Sequence, residues 1–269
     1  MASSRTDQVT ASCAHSRTSS PNSERKISVK KHTDKAENLI KIGQFLDLGY
    51  KDYIGARVLL MSGLLLQGAI LGSTAVEKYL KAILAFKGNV SHGHLKTAHI
   101  NAAKNFDSRL EKMLNDKFLL LLQRVYEMRY IDSLSVDFNV VIAYREFLAE
   151  LDFTCQMLHE SFKLNINGAQ VVSSYHIARD QKDELLCTDN FVANNLSKQG
   201  FIGAEDQQVY EARLCRYRGL IEISYTSAAR VSDGDFTREG MRNMDDTGAS
   251  FMVSLAPMVP GSIEFTENN

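Results

Sequence analysis

Apolar positions recur at helical spacing through most of the first 165 residues. Leu39, Ile40, Ile42, Phe45 and Leu46 follow Asp34, which suits a helix N-cap, and predict a short first helix. Tyr53, Ala56, Leu59 and Leu60 make one stripe of a second helix over about 48–62, which Ser62-Gly63 ends. A third helix, about 64–87, carries Ala69, Ile70, Val76, Leu80, Ile83 and Leu84 on one side and Glu77, Lys78, Lys81 and Lys87 on the other. Glu77 and Lys81 form an i,i+4 pair, and Lys87-Gly88 supplies a terminal cation and a C′ glycine. Further helices are predicted over about 94–106, 110–129 and 138–163. The last is read from Val140, Val141, Tyr144, Phe147, Leu148, Leu151, Cys155, Leu158 and Phe162. The fold class expected is mainly α: a bundle of four to five helices over residues 34–164.

The flanks differ. Residues 1–33 are rich in Ser and Thr and include Arg5, Arg17, Arg25, Lys26, Lys30 and Lys31, but few large apolar residues, so a disordered basic tail is expected. Residues 165–269 predict a small α+β or partly disordered C-terminal extension. Ile221, Ile223 and Tyr225 alternate as in a half-buried strand, Phe251, Val253 and Leu255 do likewise, and Val209, Tyr210, Leu214 and Tyr217 suggest a helix near 205–218.

Composition narrows the partners. The net charge of −1 gives no global field toward nucleic acid, so any polyanion must meet a local patch. The four cysteines form no Cys-x-x-Cys pair, which signals neither a zinc knuckle nor a redox motif and fits a reducing, cytoplasmic setting. The apolar run from Val58 to Leu71 is interrupted by Ser62, Gly63, Gln67 and Gly68, whereas a membrane span needs about 20 apolar residues. His92, His94 and His99 lack the i,i+4 spacing of a helical metal pair, so neither a metal nor a cofactor is expected.

Four pieces, in order, resemble the HEPN domain family. Ser73-Thr-Ala-Val-Glu77-Lys78-Tyr-Leu80-Lys81-Ala-Ile-Leu84 is similar to its "A-x-E-K-x-L-K-A-L-L" helix. Gly88 followed by His94-Leu95 is similar to its "G … H-x-L" turn, and Tyr126-Glu-Met-Arg129-Tyr130-Ile-Asp132 to its "Y-x-x-R-Y-P-D" segment, with Ile131 in place of Pro. Tyr53 to Leu60 resembles the first helix, "D-x-x-x-A-x-x-L". The resemblance spans about 120 residues and implies a helical bundle that dimerises and binds nucleotide, RNA or a partner nucleotidyltransferase, as in toxin–antitoxin and defence systems. It also implies a test. Catalytic members carry Arg, four to six residues, then His, and here Arg124 is followed five residues later by Arg129. Cleavage requires a group that can take a proton from a 2′-hydroxyl near neutral pH, which a guanidinium cannot do. The expectation is therefore a non-catalytic, dimeric binding module. The alternatives are a metal-independent ribonuclease toxin using His94 or His159, and a protein–protein interaction scaffold.

The candidate nucleotide or RNA ligands are Arg124, Arg129 and Tyr130, with Tyr126 or Tyr130 stacking a base, and Lys78, Lys81 and His94. Each has an ordinary structural alternative: a pairing of Arg129 with Asp132, Glu127 or Glu77, a solvated lysine face, and His94 as a turn residue. Leu64, Leu65 and Leu66 exceed what one buried helix face uses and suggest a second buried face, such as a dimer contact.

Overall fold

The computed structural model describes residues 21–89, 92–136, 138–162, 165–166, 169–170, 172–216 and 219–227. The protein is mainly helical, with a small three-stranded antiparallel sheet. The two predicted N-terminal helices are one continuous helix, α1 (Pro21–Met61), with no break between Leu46 and Leu48. Residues 21–33, expected in the tail, are its first turns, and residues 1–20 lie outside the described residues. Ser62-Gly63 ends α1 as predicted. Gly63 takes φ +80°, a left-handed turn that a side chain would strain, and the Leu64 amide closes onto the Leu59 carbonyl at 2.9 Å.

Helix α2 (Leu65–Phe86) then runs back along α1. The helices approach closely at Gly68, where an added Cβ would lie 2.9 Å from the Leu60 amide nitrogen and 3.0 Å from the Ala56 carbonyl. A hydrogen in place of a methyl lets the two backbones meet. Of the leucine run, Leu65 enters the core, Leu66 packs at its edge and Leu64 faces solvent. Helix α2 also packs on α3 (Thr97–Lys104), α5 (Asp116–Glu127) and α6 (Tyr144–Glu160), so it is the central element. The helix predicted over 110–129 is two, α4 (Ser108–Met113) and α5, because Asn115 caps a new start by accepting the Lys117 and Phe118 amides at 3.0 and 3.2 Å.

Two further expectations are corrected. The helix read over 138–163 starts only at Tyr144, and Asn139–Ala143 form strand β1. Val140, Val141 and Ile142 are consecutive β-branched residues, which favour extended backbone once a partner strand exists. That partner is the supposed helix near 205–218, which is strand β4 (Gln207–Cys215). Val209 and Tyr210 are both buried although they point to opposite faces, because Tyr210 joins the main core and Val209 packs with Val141 and Ala143 on the other face. Such two-sided burial erases alternation and imitates helical spacing. β4 pairs antiparallel with β1 (Ile142 opposite Tyr210) and with β5 (Gly219–Ser227; Tyr225 opposite Val209), where Ile221 and Ile223 are half-buried on either side of an exposed residue as predicted while Tyr225 is exposed. A short ladder, β2 (Asn165–Ile166) with β3 (Ala169–Gln170), lies between α6 and residue 172. The strand expected near 251–255 lies outside the described residues.

The segment 172–227 is no separate appendage. Helices α7 (Ser174–Asp180), α8 (Glu184–Cys187) and α9 (Lys198–Ile202) place Tyr175, Ala178, Leu186, Phe201 and Ile202 in the same core as α1, α2, α5 and α6. Polar contacts add to this attachment. Arg57 of α1 is fully buried and pairs through one guanidinium nitrogen with both oxygens of the equally buried Asp152 of α6. Its Nε donates to the Leu185 carbonyl at 3.1 Å, and its remaining nitrogen donates to the Thr188 carbonyl. The Tyr53 hydroxyl donates to Asp152 at 2.7 Å and accepts from Asn190 at 3.3 Å. Burial raises the Asp152 carboxyl above its ordinary range, while Arg57 and Tyr53 pull it back. The pair stays ionic because Arg57 keeps its proton and would otherwise be a lone buried charge.

Removing one partner should therefore expose the full cost of a stranded charge. Arg57→Ala is expected to lower unfolding free energy by about 3–5 kcal/mol in urea titration. A loss below about 1 kcal/mol, the scale of a surface pair, would contradict the buried-network account.

Candidate functional site

The turn between α2 and α3 and the C-terminal end of α5 meet over the middle of α2. Leu95 sets this turn. It has φ +31°, an unfavourable conformation for a residue with a Cβ, costing on the order of 1–2 kcal/mol, yet its side chain is completely buried and its carbonyl accepts from Gln123 of α5. Burial of Leu95 fixes the adjacent His94 against α2.

His94 then makes contacts on three sides. Its Nδ1 hydrogen-bonds Glu77, and its Nε2 lies 2.8 Å from the Ser73 hydroxyl. Its ring stacks on Tyr126, the planes within 8°. Glu77 also pairs with Lys81, one turn further along α2. Burial alone would raise the Glu77 carboxyl, but the hydrogen bonds from His94 and Lys81 outweigh it and hold the group below its ordinary value. The Ser73 hydroxyl is fully buried and lies 2.7 Å from the Leu122 carbonyl, so it is closed off as a nucleophile despite its place beside a histidine and a carboxylate.

Outside this buried row lies an accessible one. Arg129, just beyond α5, sits with its guanidinium carbon 4.9 Å from the Tyr126 ring centre and 5.6 Å from that of Tyr130. Tyr130 is 54% exposed. Burial and a hydrogen bond with Tyr130 push the Tyr126 phenol up, so it stays neutral. Beside these rings is an open cleft of about 460 Å³, lined by His94, Lys96, Thr97, Gln123, Tyr126 and Glu127 among others. A cation over aromatic faces can contact a phosphate while an exposed ring stacks a base.

The structure thus brings together His94, Arg129 and Tyr130 of the predicted residues, and Lys81 joins them only through its pair with Glu77. Lys78 is elsewhere: it pairs with Asp52 of α1, which also accepts from Thr74 at 2.7 Å, because position 78 faces α1. Arg124 is half-buried in the last turn of α5, and among the described residues nothing bonds it to this group. Arg129 forms no ion pair with Glu77, Asp132 or Glu127 among the described residues. Sequence reasoning missed Ser73 and Gln123 as supports, since neither residue type at those positions signals a turn 20 or more residues away. It also missed Arg57, although a charge inside the apolar stripe of Tyr53, Ala56 and Leu60 was a visible sign.

His159, the other histidine considered for proton transfer, is internal. It is 1% exposed, bonded through Nε2 to the Tyr79 hydroxyl at 2.7 Å, and stacked on Tyr175. Burial, aided by His176, pulls its imidazole down to about 3, so it is neutral in the fold at neutral pH. His99 is also buried and pulled below its ordinary value by burial. Among the described residues, no three His, Cys, Asp or Glu side chains gather as a metal set, and no helix is long and apolar enough to cross a membrane.

The His159 geometry carries a pH dependence. In the unfolded chain the imidazole titrates near 6.5 and in the fold near 3. The unfolded state therefore takes up the proton first, and stability present above pH 6.5 is lost as pH falls toward 3, at up to about 1.4 kcal/mol per pH unit. His159→Gln, which keeps a partner for Tyr79, is expected to flatten the stability profile between those limits. An unchanged acid slope in denaturant titrations at several pH values would contradict this.

No family model, curated protein or solved structure matches this chain.

Proposed function

We propose that the protein is a HEPN-type binding module, acting as a homodimer, that holds single-stranded RNA at the Arg129–Tyr130 face without cutting it. The observation that carries the reading is the Arg129 guanidinium lying across Tyr126 and the exposed Tyr130, beside a cleft with Lys96 on its wall. Arg supplies a forked donor for phosphate, and the aromatic ring stacks bases of any identity. The pieces that resemble HEPN domains lie on α1, α2, the α2–α3 turn and the end of α5, and all but the α1 piece contribute residues to this site. A non-cleaving role fits the chemistry of the site. Arg129 cannot accept a proton, Ser73 is sealed, and His94 has both ring nitrogens engaged. The nucleotidyltransferase partner remains part of the proposal as the protein that such a module would accompany, and the exposed Leu64 supports a contact between copies.

One assay separates the readings. Wild type should bind a single-stranded RNA oligomer with an affinity that falls as salt rises. Arg129→Ala should weaken binding about tenfold and reduce the log–log salt slope by about 0.7. Tyr130→Ala should weaken binding with little change in slope. RNA cleavage without metal, abolished by His94→Ala, would replace the binding reading with the ribonuclease one. Neither binding nor cleavage would shift the function to protein partners. A monomer by light scattering at micromolar concentration would remove the dimer from the proposal.

A further inference from the structure

A second cavity, of about 260 Å³, opens between α1 and the C-terminal half of α2, away from the Arg129 cleft. Its walls combine two kinds of surface. Phe45 and Leu48 from α1 and Ala85 from α2 give an apolar floor, and Lys41 and Lys81 stand on opposite helices beside it. Among the described residues no carboxylate lines it, and the other polar groups, such as Gln44, are neutral amides. Leu48 remains 46% exposed, a cost in apolar contact with water that a ligand would relieve. Lys41 has no ion-pair partner among the described residues. Lys81 pairs with Glu77 but has three donors, so it can serve an anion in the cavity while keeping that contact.

From this complementarity we infer that the cavity is a binding site for a small amphipathic organic anion: a single carboxylate-type head on an apolar body. The head sits between Lys41 and Lys81, and the body covers Phe45, Leu48 and Ala85. The volume sets the size. A cavity of about 260 Å³ suits a small ligand such as a medium-chain acid. An uncharged ligand would leave the Lys41 ammonium without an anion beside an apolar surface. A small ion such as phosphate would leave the apolar floor wet.

Isothermal calorimetry of the full chain with octanoate tests this, with 1-octanol (body without charge) and acetate (charge without body) as parallel titrants. No RNA is present, so the result stands apart from the RNA-binding reading. Octanoate should bind saturably, and both truncated probes at least about tenfold more weakly. Lys41→Gln and Lys81→Gln should each weaken octanoate about tenfold, and Leu48→Asp, a change at an exposed position, should remove binding. Because Lys41 is exposed, its variant tests the head site even if loss of Lys81 disturbs α2. Octanol binding as well as octanoate, indifference to Lys41→Gln, or no saturable binding at millimolar octanoate would each overturn the assignment.

Discussion

Arg57 and Asp152 are both completely removed from water, and this buried ion pair is the constraint around which the chain is arranged. Two charges in a protein interior are tolerated only if each is held in place and fully hydrogen-bonded. Here that requires α1, α6 and the loop around α8 to meet at one point, with Tyr53 and Asn190 completing the shell. The requirement explains why residues far along the chain are fastened to the helical core. Asn190 extends the same logic outward, since its side-chain Oδ1 accepts the Val192 and Ala193 amides at 3.1 and 3.0 Å and orders the loop itself. A second set of polar contacts does similar work at the N-terminal end of α6. Arg145 donates to the Phe201 carbonyl and to Glu205, and Gln207 of β4 bridges the Arg145 amide and Glu146.

With the outer elements fixed in this way, α2 serves as the floor of two different surfaces. On one side it presents Ser73 and Glu77 to the α2–α3 turn, and on the other Lys81 and Ala85 to α1. Glu77 stands between them. It takes hydrogen bonds from His94 and Lys81 together, and its lowered proton affinity comes from holding both. A carboxylate shared in this way keeps His94 aligned with Tyr126, which in turn keeps Tyr126 under Arg129. The exposed face is thus supported by a buried polar row rather than by apolar packing alone, and the strained Leu95 backbone anchors that row to the core.

Chemistry depends on what is reachable. The buried row contains groups that suggest catalysis when taken by type alone: a serine, a histidine and a carboxylate in hydrogen-bonding sequence. Ser73, the one nucleophile among them, is fully buried, and the half-buried His94 and Glu77 hold each other, which gives the set a supporting role instead, because a nucleophile must meet its substrate. The reachable groups, Arg129, Tyr130 and Lys96, are those of recognition: charge, a stacking face and a flexible ammonium.

The sequence by itself determined the helical class, the stop at Ser62-Gly63, the Glu77–Lys81 pair and most of the residues at the Arg129 face. These rest on local physics: 3.6-residue periodicity, glycine's access to positive φ, and side chains one turn apart. It could not separate a β-branched run from the start of a helix at 139–143, nor a two-sided buried strand from a helix at 207–215, because each becomes a strand only when the other is present to pair with it. It placed Lys78 with Lys81, since both lie on a polar stretch of α2, and only the packing of α1 directs the first to Asp52. The place of Arg57 was likewise decided in three dimensions. A charge within an apolar stripe signals that something must neutralise it, but the partner is 95 residues away, and no local rule reaches that far.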